Sequence, residues 1–448
     1  MFKVGLYERE ITPPFGANLC GYFNARPVSG VKDRTYARGA VIECGGTKIA
    51  LLSVEACEIS ADIIDEIKSR ISSLSDIEYG NILVAATHSH TAAPGEIDPP
   101  KETEKTDRLY LSWLALAAAD TVLCANARQR ESVIKFTEAE VRGTTFVRNY
   151  LMKDGSKRTN PGVGNPDIVS SLGTPDNTAP VLIIEDTDGT ARGMIYSFAN
   201  HQDSVDGDEV SADWSGVVSS GMKKRYGEDF VSIFFIGTAG DVNQVDVNNS
   251  DSDYRPECLY RELGAAFLEA VLPSLDKGRE VSEGISLIRD TAEYKTRVMT
   301  KDEEKKQREI LAATPIPEGI KLDAASPKEL FFACMAKRAI IHNETANEYT
   351  RVNFQIIKLG EILIFALPGE VFTEYGKRIR AAFPHHSCFF ACLANNGWSY
   401  MPTKDRYAEG LYESLFGSAK FYPEDTERIF DRFIELGKKL TKDSGITE

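Results

Sequence analysis

The sequence predicts an α/β fold of mixed β-sheets flanked by helices, in one domain spanning residues 1–448. Three observations predict it. Short apolar runs rich in Ile, Val, Leu and Phe recur along the chain, each bounded by Gly, Pro or polar residues, as buried strands are. Some of these runs come in pairs across tight turns, and others are separated by segments of helical period. With 448 residues, 42% hydrophobic and 27% charged, the chain is long enough for a sizeable core and has the balance of a globular protein.

Taken in order, Ile11-Thr12-Pro13-Pro14-Phe15-Gly16 is a rigid opening turn. A hairpin follows, Ala40–Glu43 and Ile49–Val54 across Cys44-Gly45-Gly46. Ser60 caps a helix with Ile64, Ile67, Ile71 and Leu74 on one face. The strand Ile82–Ala86 runs into Thr87-His88-Ser89-His90, and Pro94-Gly95 then turns the chain away. If the strand continues, two histidines at i and i+2 point to one side. A long Leu/Ala-rich helix covers Asp107 to Ala127, and Lys135 to Val141 alternates like a strand. Arg148 opens an irregular Gly/Asn/Pro-rich region that lasts to about Thr178, a length of loop usually kept for function or motion.

A second hairpin, Val181–Glu185 and Gly193–Phe198, ends at Asn200-His201. A short helix follows Ser211–Gly216. Val231–Ile236 is a strand that stops at Gly237–Asp241, and a helix lies near Tyr254–Leu275. After a strand and a charged helical region comes a third hairpin, Val352–Lys358 and Ile362–Leu367, ending at Pro368-Gly369-Glu370. The helix Val371–Ala382 is expected to start at once. Cys388–Leu393 is a strand that ends at Asn395–Tyr400, and a final helix turns Ile429, Phe430, Phe433, Ile434 and Leu440 inward.

Composition excludes several classes. A net charge of −15 and a pI near 5.1 disfavour nucleic acid or an anionic membrane as partner. No stretch approaches the roughly 20 apolar residues of a membrane span, and no apolar leader opens the chain. Eight cysteines without a C-x-x-C pair read as core thiols in a reducing cytoplasm.

Chemistry gathers where the strands end: His88 and His90, His201, Gly237–Asp241, Glu370 and Asn395–Tyr400. Sites built at strand ends are common in α/β architectures. Two histidines, a carboxylate and an open position suit catalytic zinc. Each member has a bland alternative. His201 can be a satisfied core histidine, Glu370 can cap the helix after it, and Tyr400 can be ordinary packing. Those alternatives do not account for all of these groups following apolar strands.

The ordered set Ile11-Thr12-Pro13-Pro14, Gly21-Tyr22, Tyr36-Ala37-Arg38-Gly39-Ala40, His88–Gly95, Asn200-His201, Ser211-Ala212-Asp213, Gly240-Asp241, Pro368-Gly369-Glu370, Tyr400-x-x-Thr403-x-x-x-Tyr407 and Tyr412-Glu413 resembles the catalytic domain of the neutral/alkaline non-lysosomal ceramidases. The resemblance implies a ceramidase-like fold. It matches His88, His201, Glu370 and Tyr400 to zinc ligands, and His90, Arg148 and Tyr412 to residues at the reaction centre that bind substrate. No serine matches the family's nucleophile, and no C-terminal β-sandwich follows the last helix. The expectation is therefore a cytoplasmic zinc-dependent hydrolase that cleaves an amide or ester in a small soluble substrate, with zinc-bound water as nucleophile. His90 or Asp241 would move protons, and Arg148 and Tyr412 would stabilise developing negative charge. Oligomerisation is left open. The alternatives are a zinc-dependent lyase or isomerase, a true ceramidase-type N-acyl hydrolase, and a binding protein that kept the scaffold.

Overall fold

The computed structural model describes residues 1–448 except 23–24, 95–104, 250–256, 318–326, 396–398, 408–410 and 443–448. Gly95, Tyr254 and the Asn396–Trp398 exit therefore lie outside the described residues.

The larger sheet holds β1 (Phe2–Glu10), β2 (Tyr36–Cys44), β3 (Thr47–Val54), β4 (Ile82–Ala86), β5 (Arg130–Glu140), β6 (Thr178–Asp186), β7 (Ala191–Phe198) and β8 (Val231–Ile236). Their order is β8-β7-β6-β5-β1-β2-β3-β4, and the two-residue strand Arg279–Glu280 also pairs with β5. The pairs β7/β8 and β3/β4 at the two edges are parallel, and the pairs between them are antiparallel. The β2–β3 hairpin turns on Gly45 and Gly46, with φ of 59° and 81°, a conformation that glycine adopts without a steric penalty.

A second sheet runs β9 (Ile285–Lys295), β10 (Tyr349–Leu359), β11 (Ile362–Ala366) and β13 (Ser387–Ala391). Between β11 and β13, the short strand β12 (Glu370–Val371) pairs in parallel with β14 (Tyr400–Met401).

The two sheets share an apolar layer. Leu6, Leu51, Leu83, Ile233 and Phe235 of the larger sheet meet Ile357, Ile364 and Phe389 of the smaller. The alternate residues Val41, Leu52 and Val84 are equally buried but belong to the core on the opposite face. Burial on both faces is why these strands read as continuous apolar runs rather than alternating ones. Each such side chain contributes about 1.5–3 kcal/mol through burial.

Helices α1 (Ala61–Leu74), α2 (Lys105–Ala127), α3 (Asp213–Tyr226) and α4 (Leu259–Leu275) cover the larger sheet. α5 (Lys301–Ala313) and α6 (Lys328–Thr345) pack on each other between β9 and β10 in sequence, and α7 (Thr373–Ala382) and α8 (Pro423–Lys442) cover the smaller sheet. Helices, two sheets and helices thus form four layers with no closed barrel. Among the described residues only α2 is long and apolar enough to cross a membrane, and its Leu111, Leu114, Ala115 and Ala118 are packed into the core.

Three expectations change. Leu74 is the last residue of α1 and is 67% exposed, while Ile64, Ile67 and Ile71 carry the buried face. The stretch expected to be irregular after Arg148 contains the strands Asn149–Met152, Lys157–Thr159 and Ile168–Ser171 in a small sheet. α7 starts at Thr373 rather than Val371, because Glu370 and Val371 are drawn into pairing with Tyr400 and Met401.

Candidate active site

β4 stops at Ala86, so strand alternation is not what brings His88 and His90 together. His88 lies beyond the strand with φ of 69°, a left-handed conformation costly for a residue with a Cβ. Its neighbourhood holds it there. The Thr87 and His88 amides donate to the Val54 and Ala56 carbonyls at 3.0 and 2.9 Å, and the His90 amide donates to Gln202 at 2.9 Å. That last bond ties the loop after β4 to the loop after β7, which carries His201.

Each buried imidazole is oriented from behind. His88 Nδ1 lies 2.9 Å from the Cys57 carbonyl and His201 Nδ1 lies 3.1 Å from the Ala239 carbonyl. A carbonyl only accepts, so both Nδ1 atoms carry the proton and both Nε2 atoms present lone pairs. Those Nε2 atoms stand 3.1 Å apart. Glu370 Oε2 is 3.2 Å from one and 3.4 Å from the other, and it is a buried oxygen without a hydrogen bond. Two lone pairs and an anionic oxygen this close repel unless a cation joins them. A four-coordinate ion with ligand bonds of about 2.0–2.1 Å separates its ligand atoms by roughly 3.3 Å, so the donor set fits zinc.

The charges of the three groups are coupled: burial would lower His88, but Glu370 raises it above the usual imidazole range. Burial alone would raise the Glu370 carboxyl, but His88 and His201 outweigh it and hold it well below the usual carboxylate range. Burial brings His201 down to about 4, leaving it neutral as a ligand must be. Cys57, with Sγ 3.7 Å from His88 Nδ1, could complete a second set with His88 and His90. Burial pushes its thiol well up, however, and His88 Nδ1 already serves the Cys57 carbonyl.

Tyr400 reaches the site through register: it is the pairing partner of Glu370 across β12 and β14. Gly240 lets this seam close, since a Cβ there would lie 2.4 Å from the Glu370 carbonyl oxygen. The Tyr400 ring lies 5.4 Å from the Arg148 guanidinium and 5.6 Å from the Tyr412 ring. Burial, with Glu370 nearby, raises its phenol well above the usual range against a hydrogen bond from Arg148.

Arg148 is 7% exposed. Its Nε donates to Glu413 at 2.7 Å and its Nη2 to the Gly240 carbonyl at 2.9 Å. Glu413 is fully buried and also accepts from Asn149 and Thr159. The arginine expected to meet substrate is thus engaged with Glu413, Gly240 and Tyr400.

Tyr412 Oη is 3.4 Å from Nη1 of Arg338 on α6. His90 Nε2 is 3.4 Å from His88 Nε2, and its Nδ1 faces Asp203 at 3.7 Å. Asp203 accepts the Tyr22 hydroxyl, and burial pushes its carboxyl up to about 7. Asp241 sits close by, but both of its carboxylate oxygens are taken by the Thr373 amide and hydroxyl at 2.7 and 3.1 Å, where it caps α7. Burial raises it to about 6. Sequence reasoning gave no role to Glu413, although its motif set ends in Tyr412-Glu413, and it missed Asp203 and Arg338. Glu413 follows Tyr412 directly and Asp203 lies two positions after His201, whereas nothing marks Arg338 in its charged helix.

No family model matches the chain. Two curated relatives match it over short segments. Neutral ceramidase of Drosophila pseudoobscura pseudoobscura is 32% identical over 101 residues, and that of Drosophila melanogaster 33% over 103 residues. Each match covers 21% of this chain and 14% of the relative. Among solved structures, neutral ceramidase from Pseudomonas aeruginosa superposes with a TM-score of 0.75 at 19% identity, over 97% of this chain and 74% of that one. A ceramidase complexed with C2 gives a TM-score of 0.77 at 20% identity, over 99% and 75%. The fold is that of the neutral ceramidase catalytic domain. The chain is thus similar in fold to neutral ceramidases and, over these two segments, in sequence.

Proposed function

We propose that this protein is a zinc-dependent hydrolase that cleaves an amide bond, or an ester, in a small soluble acyl substrate. The observation that carries this is the meeting of His88 Nε2, His201 Nε2 and Glu370 Oε2 within 3.1–3.4 Å of one another, with both Nδ1 atoms held by carbonyls. His88, His201 and Glu370 would hold the ion, with Tyr400 as the fourth ligand from the paired strand. Zinc, when bound, supplies Lewis acidity toward an acyl oxygen and lowers the pKa of water.

The chain's own groups do the rest. The Cys57 and Ala239 carbonyls keep the imidazoles in the ligand tautomer. His90, beside the cluster and backed by Asp203 and Tyr22, takes up and returns a proton at its ring nitrogen. Tyr412, next to Arg338, donates its hydroxyl to charge developing on the acyl oxygen. Arg148 acts through Tyr400, whose ring and hydroxyl it positions. The amide is favoured because the relatives matched in sequence and fold are ceramidases. A ceramidase-type N-acyl substrate is the second reading.

The test is zinc content by elemental analysis of protein purified without chelator, with turnover on short N-acyl amides, esters and a ceramide. About one zinc per chain, and loss of both zinc and turnover in Glu370→Gln, is expected. Equal turnover by metal-free protein, or full zinc retention in that variant, would sink the proposal.

A further inference from the structure

Away from the histidine cluster, a cleft of about 830 Å³ opens between α1, the β9–β10 strands and α6. None of His88, His90, His201 or Glu370 lines it. Its size lies within the range of small-molecule sites.

Lys68 stands out among its lining residues. It falls on the apolar stripe of α1 with Ile64, Ile67 and Ile71, and it is only 6% exposed. Its ammonium stands 5.5 Å from the Tyr79 ring, and it makes no hydrogen bond or ion pair among the described residues. A buried ammonium that no carboxylate meets at ion-pair distance is costly, and the charge of nearby Asp65 offsets that burial only in part. Asp65 accepts the Tyr79 hydroxyl at 2.6 Å, and Asp290, across the cleft, is paired with Arg432 at 2.5 Å. Arg351 on β10, an exposed side chain, also lines the cleft. Arg289 and Lys420 line the cleft as well, against the carboxylates of Asp62, Asp65 and Asp290, and among these charged groups Lys68 is the one desolvated and held over an aromatic face. Burial brings the Lys68 amine down to about 7, with Asp65 opposing, so an incoming anion would restore its charge.

We infer that this cleft binds a small oxyanion, a carboxylate or a phosphate ester, with Lys68 as its principal contact and Arg351 as the second. The bound group forms a charge-assisted hydrogen bond to the Lys68 ammonium. Neither Lys68 nor Arg351 belongs to the histidine cluster, although the cleft also reaches Gly369 and Ser399 beside Glu370 and Tyr400, and anion binding is read without turnover.

The experiment is calorimetric titration of the zinc-loaded protein near pH 7 with inorganic phosphate and, separately, with succinate, at constant ionic strength against a chloride control. The stronger of the two identifies the class of anion. Lys68→Met is expected to weaken binding by roughly tenfold or more, and Arg351→Gln severalfold. Arg351→Gln tests the cleft independently, since it leaves the buried lysine in place. Binding of neither anion above the chloride control would overturn the inference. So would phosphate or succinate binding that survives in both variants, which would place the anion on the metal instead.

Discussion

Glu413→Gln isolates the role of the buried pair beneath the site. Glu413 has no exposed surface and receives the Arg148 Nε at 2.7 Å, the Thr159 hydroxyl at 2.9 Å and the Asn149 amide at 3.3 Å. Glutamine keeps the shape but removes the charge and turns an amide NH₂ toward groups that are themselves donors. Arg148, 7% exposed, would then keep only the Gly240 carbonyl and Tyr400. Breaking one side of a buried pair costs about 3–5 kcal/mol, and the upper half is expected here because three donors lose an anionic acceptor at once. Removing both charges in Arg148→Met/Glu413→Gln should cost less than the sum of the single changes, with a coupling of about 2–3 kcal/mol. Urea denaturation of the zinc-loaded wild type, both single variants and the double variant measures this. Turnover should fall in Glu413→Gln as well, since Arg148 positions Tyr400. A cost below about 1 kcal/mol with additive single changes would show that the pair is not what orders this part of the site.

Other outcomes follow from the same structure. Lys68→Met should stabilise the fold most below pH 7, by at most about 5 kcal/mol. The folded pKa of the lysine is depressed to about 7, so the burial penalty is present below that pH and fades as pH rises toward the unfolded value near 10.4; a pH-independent difference in unfolding free energy would refute this. Gly21→Ala should lower turnover while sparing zinc content, because a Cβ there would lie 2.6 Å from His90 Nδ1 and the φ of +97° suits only glycine; full activity would clear His90 of a role. Tyr400→Phe should lower zinc retention and activity together, whereas Tyr412→Phe should keep zinc and lose roughly 10²-fold in turnover. Full zinc and full activity in both would remove the two hydroxyls from the mechanism.

The strands and the chemistry at their ends were legible in the sequence because burial on both faces leaves long apolar runs, and each run ends where the polar site begins. His88, His201 and Glu370 could be named for that reason. How His88 turns could not be read, since its left-handed φ is set by carbonyls more than thirty positions upstream. Glu370 could also be read as a helix cap, because its pairing partner, Tyr400, lies thirty positions away with a whole helix and strand between. Arg148 looked available to a ligand for the same reason: its counter-charge, 265 residues on, has no local signature. Pattern reveals what a residue does for its own segment, and these residues are defined by contacts between segments.

The layering bears on how the proposed activity would be lost. His88 and His201 hang from strands of the larger sheet, while Glu370 follows directly from β11 of the smaller. What holds the two sheets in alignment is the apolar layer between them, where Phe235 meets Phe389 edge-on at 6.1 Å. The three donor atoms therefore act as a vernier across that layer. A slip of about 1 Å between the sheets, too small to unfold anything, is enough to cost on the order of 100-fold in rate. Damage far from the histidines would then appear first as lost turnover, and only later as lost stability.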